Sequence, residues 1–327
     1  MNGTMNSLML PVAYSDLGIL QLNSTQCIWI VISAIFRYCT GKRSPIMSRA
    51  WETGKVQTVL GTVSPDQLGV TLTHEHLYIS AKALGAEYKR DKYKEFTSAN
   101  IQIENLWWIH QNPTIVENTT FGIKRDVNIL KSYYVETSRP GTESLTVEKM
   151  ADHMTTELTQ GCDSTVQENL GCPVMIHPGR SHDAPKQIIQ IYQESGGSMD
   201  KLVMGHLDRT FHTKDEILEF ASKGCYLEYD LFGIETSYYQ LNESVDMPSD
   251  AERIQRIKSL VENGYEDKIL IAHDIHTKHR MMKFGGHGYS HILINIIPQM
   301  LRRGISQATI DKILKINPAR WLAYNCN

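Results

Sequence analysis

The sequence predicts an α/β fold, a TIM-type (β/α)8 barrel that is incomplete, with strands 3 and 4 missing or reduced to a remnant. Three observations lead there. Short apolar runs alternate four times with amphipathic helical patterns between residues 172 and 304, which is the pattern of parallel βαβ units. Histidine or aspartate stands at the C-terminal end of several of these runs, the ring where such barrels gather their chemistry. Residues 121–171 hold one convincing helical pattern and no apolar strand run. An eight-fold barrel needs two further βα units there, and each βαβ unit takes upwards of roughly 30 residues.

The bulk numbers describe a water-soluble globular chain. Of 327 residues 41% are hydrophobic and 21% charged, with a formal charge of -3, so neither a nucleic-acid footprint nor an acidic tail is expected. The six cysteines, at 27, 39, 162, 172, 225 and 326, form no CxxC pair. That spacing fits a reducing, cytoplasmic compartment. Residues 1–50 are expected to be a poorly ordered N-terminal extension, and 51–327 the barrel domain. The apolar run "CIWIVISAIF" (27–36) is shorter than the about twenty residues a bilayer span needs, and Lys42 and Arg43 follow it where a signal peptide wants charge in front. Met47 is a plausible second start. Asn2, Asn23, Asn118 and Asn242 open Asn-x-Ser/Thr triplets without a secretory signal to make them acceptors.

The elements follow in order. "GVTLTHEHLYIS" (69–80) reads as a strand whose residues i and i+2, His74 and His76, project from one face. "TIVENTT" (114–120) is the next strand, reached directly from "NLWWIHQNP" (105–113). "TVEKMADHMTTELTQG" (146–161) is a helix, and "SYYVETSRPG" (132–141) is a strand remnant at most. Then come "CPVMIH" (172–177), helix 184–195, "KLVMGH" (201–206), helix 214–224, "CYLEYD" (225–230), helix 250–265, "KILIAHD" (268–274) and a helical run from 291 to 304. Residues 307–324 form a closing helix.

His74, His76, His177, His206 and Asp274 share one topological position. One histidine at a strand end is ordinarily structural; four with an aspartate point to a site for Zn²⁺ or a related divalent ion. His273 has the opposite parity to Asp274 and packs outward, while His276 and His279 lie in the loop beyond. "GGHGYSH" (285–291) lacks the Lys-Ser/Thr ending of a phosphate loop and reads as a mobile loop over the barrel mouth, with His287 or Tyr289 near substrate. Arg180 is placed to meet an anionic substrate group or a surface carboxylate. Cys172 and Cys225 begin buried strands and are inert.

The motifs "TLTHEHL", "VENTTFGIKRD", "IHPGR", "GHLDRT" and "ILIAHDIHTKHRMMKFGGHGYSHIL" resemble the phosphotriesterase family, metal-dependent TIM-barrel hydrolases of the amidohydrolase superfamily, from about Gly54 to Leu322. The resemblance implies two zinc-type ions, one on His74, His76 and Asp274 and the other on His177 and His206. It further implies a metal-activated hydroxide whose proton passes to Asp274, the catalytic residue, and then to the leaving group. The substrate it implies is a small amide or ester, including N-acyl amides such as N-acetyltaurine. No nucleic acid or membrane partner is implied.

The pattern departs from the family at one place. The carboxylate that bridges the two metals from the fourth strand has no counterpart here, because "TTELTQGCDSTVQENLGCPVMIHPGR" (155–180) runs from a helix almost directly into the next strand. Glu168 falls on that helix, on the outer wall. The chain therefore looks like a truncated or exon-skipped form. Its alternative reading is a catalytically impaired isoform that binds one metal or none. A barrel short of strands loses buried aliphatic contacts at about 2–5 kcal/mol each, so marginal stability is expected.

Overall fold

The computed structural model describes residues 17–21, 27–31, 54–58, 61–77, 114–118, 173–194, 197–235, 239 and 242–323. Two antiparallel hairpins come first: β1 (Leu17–Gln21) with β2 (Cys27–Val31), then β3 (Val56–Thr58) with β4 (Gly61–Val63). The parallel strands follow: β5 (Thr71–Glu75), β6 (Thr114–Glu117), β7 (Val174–Ile176), β8 (Leu202–Met204), β9 (Tyr226–Tyr229) and β10 (Ile269–Ile271).

β5 pairs with β6, and β7 to β10 form a four-stranded sheet in sequence order. Several bonds join the sets, among them those from residues 273 and 275 to the Glu75 carboxylate and two more. Asp274 N–H donates to His74 O at 3.0 Å, and Thr73 Oγ1 donates to Ile271 O at 3.4 Å. The described parallel strands thus run β6–β5–β10–β9–β8–β7, the curved order of a βα barrel. Residues 119–172, where the predicted helix 146–161, the remnant 132–141 and Glu168 fall, lie outside the described residues, so the expected loss of two strands does too.

Apart from Glu228 on β9, the strands of the four-stranded sheet are apolar on both sides because both sides are covered. Val174, Ile176, Leu202, Met204, Leu227, Ile269 and Ile271 share a core with Ile188, Ile217, Phe220, Ile254, Ile257 and Ile296 of the helices. Their alternate neighbours Met175, Val203, Tyr226 and Leu270 pack with Trp321. The predicted helices appear as α1 (Ala184–Glu194), α3 (Lys214–Ala221) and α4 (Asp250–Glu262), with a short unpredicted α2 (Leu207–Thr210) after β8. α3 and α4 begin at capping boxes, Thr213 with Glu216 and Ser249 with Glu252, which satisfy orphan N–H groups at both starts. Gly224 and Gly264, at φ 87° and 82°, end these helices in the left-handed conformation that glycine adopts without penalty.

The two last helices are not the unbroken runs that the sequence predicts. Wide π turns occupy Ile292–Ile296 and Lys312–Ile316, and each leads into an α segment, α5 (Ile297–Arg302) and α7 (Asn317–Leu322), with Pro298 or Pro318 in its first turn; α6 (Gln307–Asp311) precedes the second π turn. Proline has no N–H and crowds the carbonyl four residues back, so the turn before it opens. Buried Lys201, just ahead of β8, locks the last helix down. Its Nζ donates to the carbonyls of Arg320, Trp321 and Ala323 at 2.7, 3.1 and 2.6 Å, and Trp321 Nε1 donates back to Lys201 O at 3.1 Å.

Candidate metal centre

All five predicted site residues lie at the C-terminal ends of parallel strands: His74 and His76 on and just past β5, His177 past β7, His206 past β8 and Asp274 past β10. His206 and Asp274 are the two non-glycine residues with positive φ among those described, at 56° and 51°. Such strain persists where the surroundings over-determine it, often at functional sites. Around Asp274 the restraints are visible. Its N–H bonds to His74 O and its carbonyl accepts from Arg280 Nη1 at 2.6 Å. Glu75 accepts the N–H groups on either side of it, from His273 at 3.0 Å and Ile275 at 3.1 Å.

Two groups of side chains converge closely enough to hold a cation. In one, ligand atoms of His74, His76 and Asp274 all lie within 4.8 Å of one another, with His76 Nε2 3.1 Å and His74 Nε2 3.8 Å from Asp274 Oδ1. The other joins His74 and His206 to Asp230. Asp230 contacts Nδ1 of both rings, at 2.9 Å to His74 and 2.7 Å to His206, and also accepts the His206 N–H. A carboxylate on Nδ1 holds the proton there and leaves Nε2 with its lone pair, the arrangement that orients ligating histidines. The donor set therefore fits a divalent metal on the Nε2 side, with Asp230 behind the rings. Glu117 Oε1 lies 3.9 Å from His76 Nδ1.

His177 is brought beside this group but differently. Its ring centroid is 4.6 Å from that of His206, yet neither convergent group includes it. Gly179 N–H donates to its Nδ1 at 3.0 Å, and Arg209 Nη2 approaches Nε2 at 3.5 Å. Burial, His206 and the guanidinium groups of Arg209 and Arg180 hold His177 well below the ordinary histidine range. It stays neutral, as a ligand imidazole must be. Burial likewise lowers His206. At His74 burial is outweighed by Asp230, Glu228 and Asp274, which raise it. Burial pushes Glu228 up to about 7, and its buried Oε1 has no hydrogen-bond partner among the described residues.

The other candidates sort plainly. His273 packs away from the site, between Glu75 Oε1 at 2.6 Å and the Ile292 N–H at 3.1 Å. His276 touches Asp274 (Nδ1 to O 2.7 Å), and His279 is exposed. Tyr289 donates to His76 O at 2.8 Å, whereas exposed His287 stacks on His291 at 4.2 Å. Cys225 is buried, its thiol pushed up to about 12 by that burial; Cys172 lies outside the described residues. Sequence reasoning missed Asp230, Glu228, Glu117, Glu75 and Arg209. The first was open to the rule already in use, since Asp230 ends "CYLEYD" as Asp274 ends "KILIAHD".

A parallel barrel with histidines and an aspartate converging at its strand ends defines a metal-dependent hydrolase class. The comparisons agree: the phosphotriesterase family matches residues 54–167 and 164–322, and the chain belongs to that family. It is 44% identical over 350 residues to the N-acetyltaurine hydrolase of Salmo salar, covering 83% of this chain and 98% of that protein. Against the Homo sapiens N-acetyltaurine hydrolase identity is 42% over 344 residues, with the same coverage. Among solved structures, a resiniferatoxin-binding protein from Rhodobacter sphaeroides superposes with TM-score 0.62 at 23% identity, covering 83% of this chain and 95% of that one. The phosphotriesterase homology protein of Escherichia coli gives 0.60 at 22%, covering 79% and 99%. Both show the same fold.

Proposed function

We propose that this chain is a metal-dependent hydrolase of small N-acyl amides, N-acetyltaurine foremost, working with two zinc-type ions. One ion would be held by His74, His76 and Asp274, the other by His177 and His206. The observation that carries the reading is the convergence of His74 Nε2, His76 Nε2 and Asp274 Oδ1, with Asp230 fixing the lone pair of two rings. The relatives' activity on N-acetyltaurine supports the substrate class. Cysteine usage supports a cytoplasmic setting, and no helix among the described residues is long and apolar enough to cross a membrane.

A bound divalent metal supplies a water of lowered pKa and polarises the scissile carbonyl. The protein's residues do the rest. Asp274 Oδ1 is engaged by His76 and, at 3.3 Å, by His276, so Oδ2 is the oxygen left to take the attacking water's proton and pass it to the departing amine. The Asp274 backbone cannot swing away, being bonded to His74, Arg280 and, through its neighbours, Glu75. Tyr289, through the His76 carbonyl, fixes the strand end that carries two ligands.

A second reading, a form that binds one metal or none, is supported by two observations. The alignment with the Salmo salar protein runs over 350 positions while using 83% of 327 residues, so several tens of positions in that relative have no counterpart here. His177 also stands outside both convergent groups. Metal analysis with turnover separates the readings. Two equivalents of metal per chain, with His177→Ala losing metal and N-acetyltaurine hydrolysis together, supports the enzyme; one equivalent or fewer without turnover supports the second form.

A further inference from the structure

Beside the metal centre, Arg209 poses a separate question. It sits on α2 one turn past β8 and is 4% exposed, yet neither it nor Arg180 comes within salt-bridge distance of a carboxylate among the described residues. Among the described residues its one polar side-chain contact is His177 Nε2 at 3.5 Å. That contact is long, and an imidazole supplies no negative charge to balance a guanidinium. A permanently charged group is almost never buried unpaired.

A second guanidinium lies near the same aromatic ring as Arg209. Arg209 lies 5.7 Å and Arg180 6.0 Å from the centre of Tyr239, and Arg180 Nε donates to the Tyr239 hydroxyl at 2.9 Å. The loop carrying Tyr239 is tied to the loop after β7 by Asn242, whose Nδ2 donates to Arg180 O at 3.0 Å. Two positive charges are thus held close to His177, neither within salt-bridge distance of a carboxylate among the described residues.

We infer that Arg209 and Arg180, both near the Tyr239 ring, form an anion subsite that takes the oxyanion end of the substrate, a sulfonate or carboxylate. This rests on the proposed amide-hydrolase reading and deepens it, because it names which end of the amide is recognised and by what. Guanidinium suits the task, since its planar fork donates to two oxygens at once. The subsite selects acyl amides of short acids over neutral amides of the same shape.

Binding and turnover are measured separately on the metal-loaded full chain. Methanesulfonate and propanoate are the anionic probes and dimethyl sulfone the neutral isostere, all titrated by calorimetry or ligand-observed NMR. The wild type is expected to bind the anions and not the sulfone. Arg209→Met should weaken anion binding tenfold or more, Arg180→Met less, and Arg209→Lys should restore part of it. A preference for methanesulfonate over propanoate assigns the sulfonate. In turnover, the kcat/KM ratio of N-acetyltaurine over N-ethylacetamide should fall at least tenfold in Arg209→Met, chiefly through KM. Absent anion binding in the wild type, or unchanged binding in folded Arg209→Met and Arg180→Met, overturns the subsite. Loss of anion binding in these variants, with no amide turned over by the wild type, supports the subsite and sinks the hydrolase reading alone.

Discussion

Glu75 holds Asp274 from both flanks without touching its side chain. The carboxylate lies between the two histidines of "THEH" in sequence, points to the other face, and accepts the N–H groups of residues 273 and 275. Asp274 is thereby kept at φ 51°, with its side chain aimed at the histidines. Glu75 also accepts from His273 Nδ1 at 2.6 Å, and His273 Nε2 receives the Ile292 N–H, so one chain of bonds ties β5, β10 and the following helix.

Glu75→Ala should therefore cost about 3–5 kcal/mol, the scale of breaking a buried hydrogen-bonded pair. Glu75→Gln, which keeps one acceptor oxygen, should cost nearer 1–2 kcal/mol. Urea unfolding reads both. If the two variants unfold at the wild-type midpoint, the clamp is not what holds this corner.

Asp230 predicts a different signature, in metal affinity. Asn at this position keeps the shape but cannot accept from both His74 and His206 at full strength. Asp230→Asn should weaken metal binding about 10- to 100-fold, the usual effect of losing the group behind a ligating imidazole. Chelator competition measures it; an unchanged affinity would remove Asp230 from the centre.

Acid stability should carry the mark of Asp250. Burial opposes its ionisation, but His291, the Gly233 N–H and Arg253 hold it down to about 2 from 3.8. A carboxylate lowered in the folded state binds its proton more readily when unfolded. Its contribution is fully present above about pH 4 and disappears as pH falls toward 2; on linkage it is about 2 kcal/mol. Asp250→Asn should flatten the unfolding free energy across that window, measured by denaturant titration at pH 2 to 5. Retention of the wild-type slope there would point to other groups.

Lys201→Met leaves the carbonyls of residues 320, 321 and 323 without their buried donor. Each unsatisfied carbonyl costs about 1–3 kcal/mol before relaxation, so a drop in Tm of several degrees is expected. Amide exchange should show the C-terminal helix opening first. Equal loss of protection across the whole sheet would contradict a local latch.

Much of this was legible in the sequence because two simple periods carry it. "KLVMGH" and "KILIAHD" read as buried strands from their apolar runs, and the alternation placed His206 and Asp274 at the correct ends. His74 and His76 followed from two-residue spacing. Arg209 was not legible, because its distinction is that no carboxylate among the described residues reaches it, and a tertiary relationship of that kind leaves no local pattern. Glu75 was hidden by parity: a charged residue on the outward face of a strand reads as solvated, and only the packed helix at Ile292 makes it buried. Lys201 was hidden likewise, since its acceptors lie about 120 residues away. The π turns at Ile292–Ile296 and Lys312–Ile316 were signalled by Pro298 and Pro318, whose effect on the preceding turn could have been read beforehand.

The left-handed backbone at His206 and Asp274 carries a consequence for anyone who randomises these positions. Asparagine and glycine tolerate that conformation, so a screen for folded but inactive chains should return them at 206 and 274. Valine, isoleucine and threonine should drop out at the folding stage there, before activity is ever scored. At His74, within strand β5, the β-branched residues should pass the folding filter and fail only the second. The two kinds of position would thus be separated by their survivors' alphabets, with no assay of the reaction.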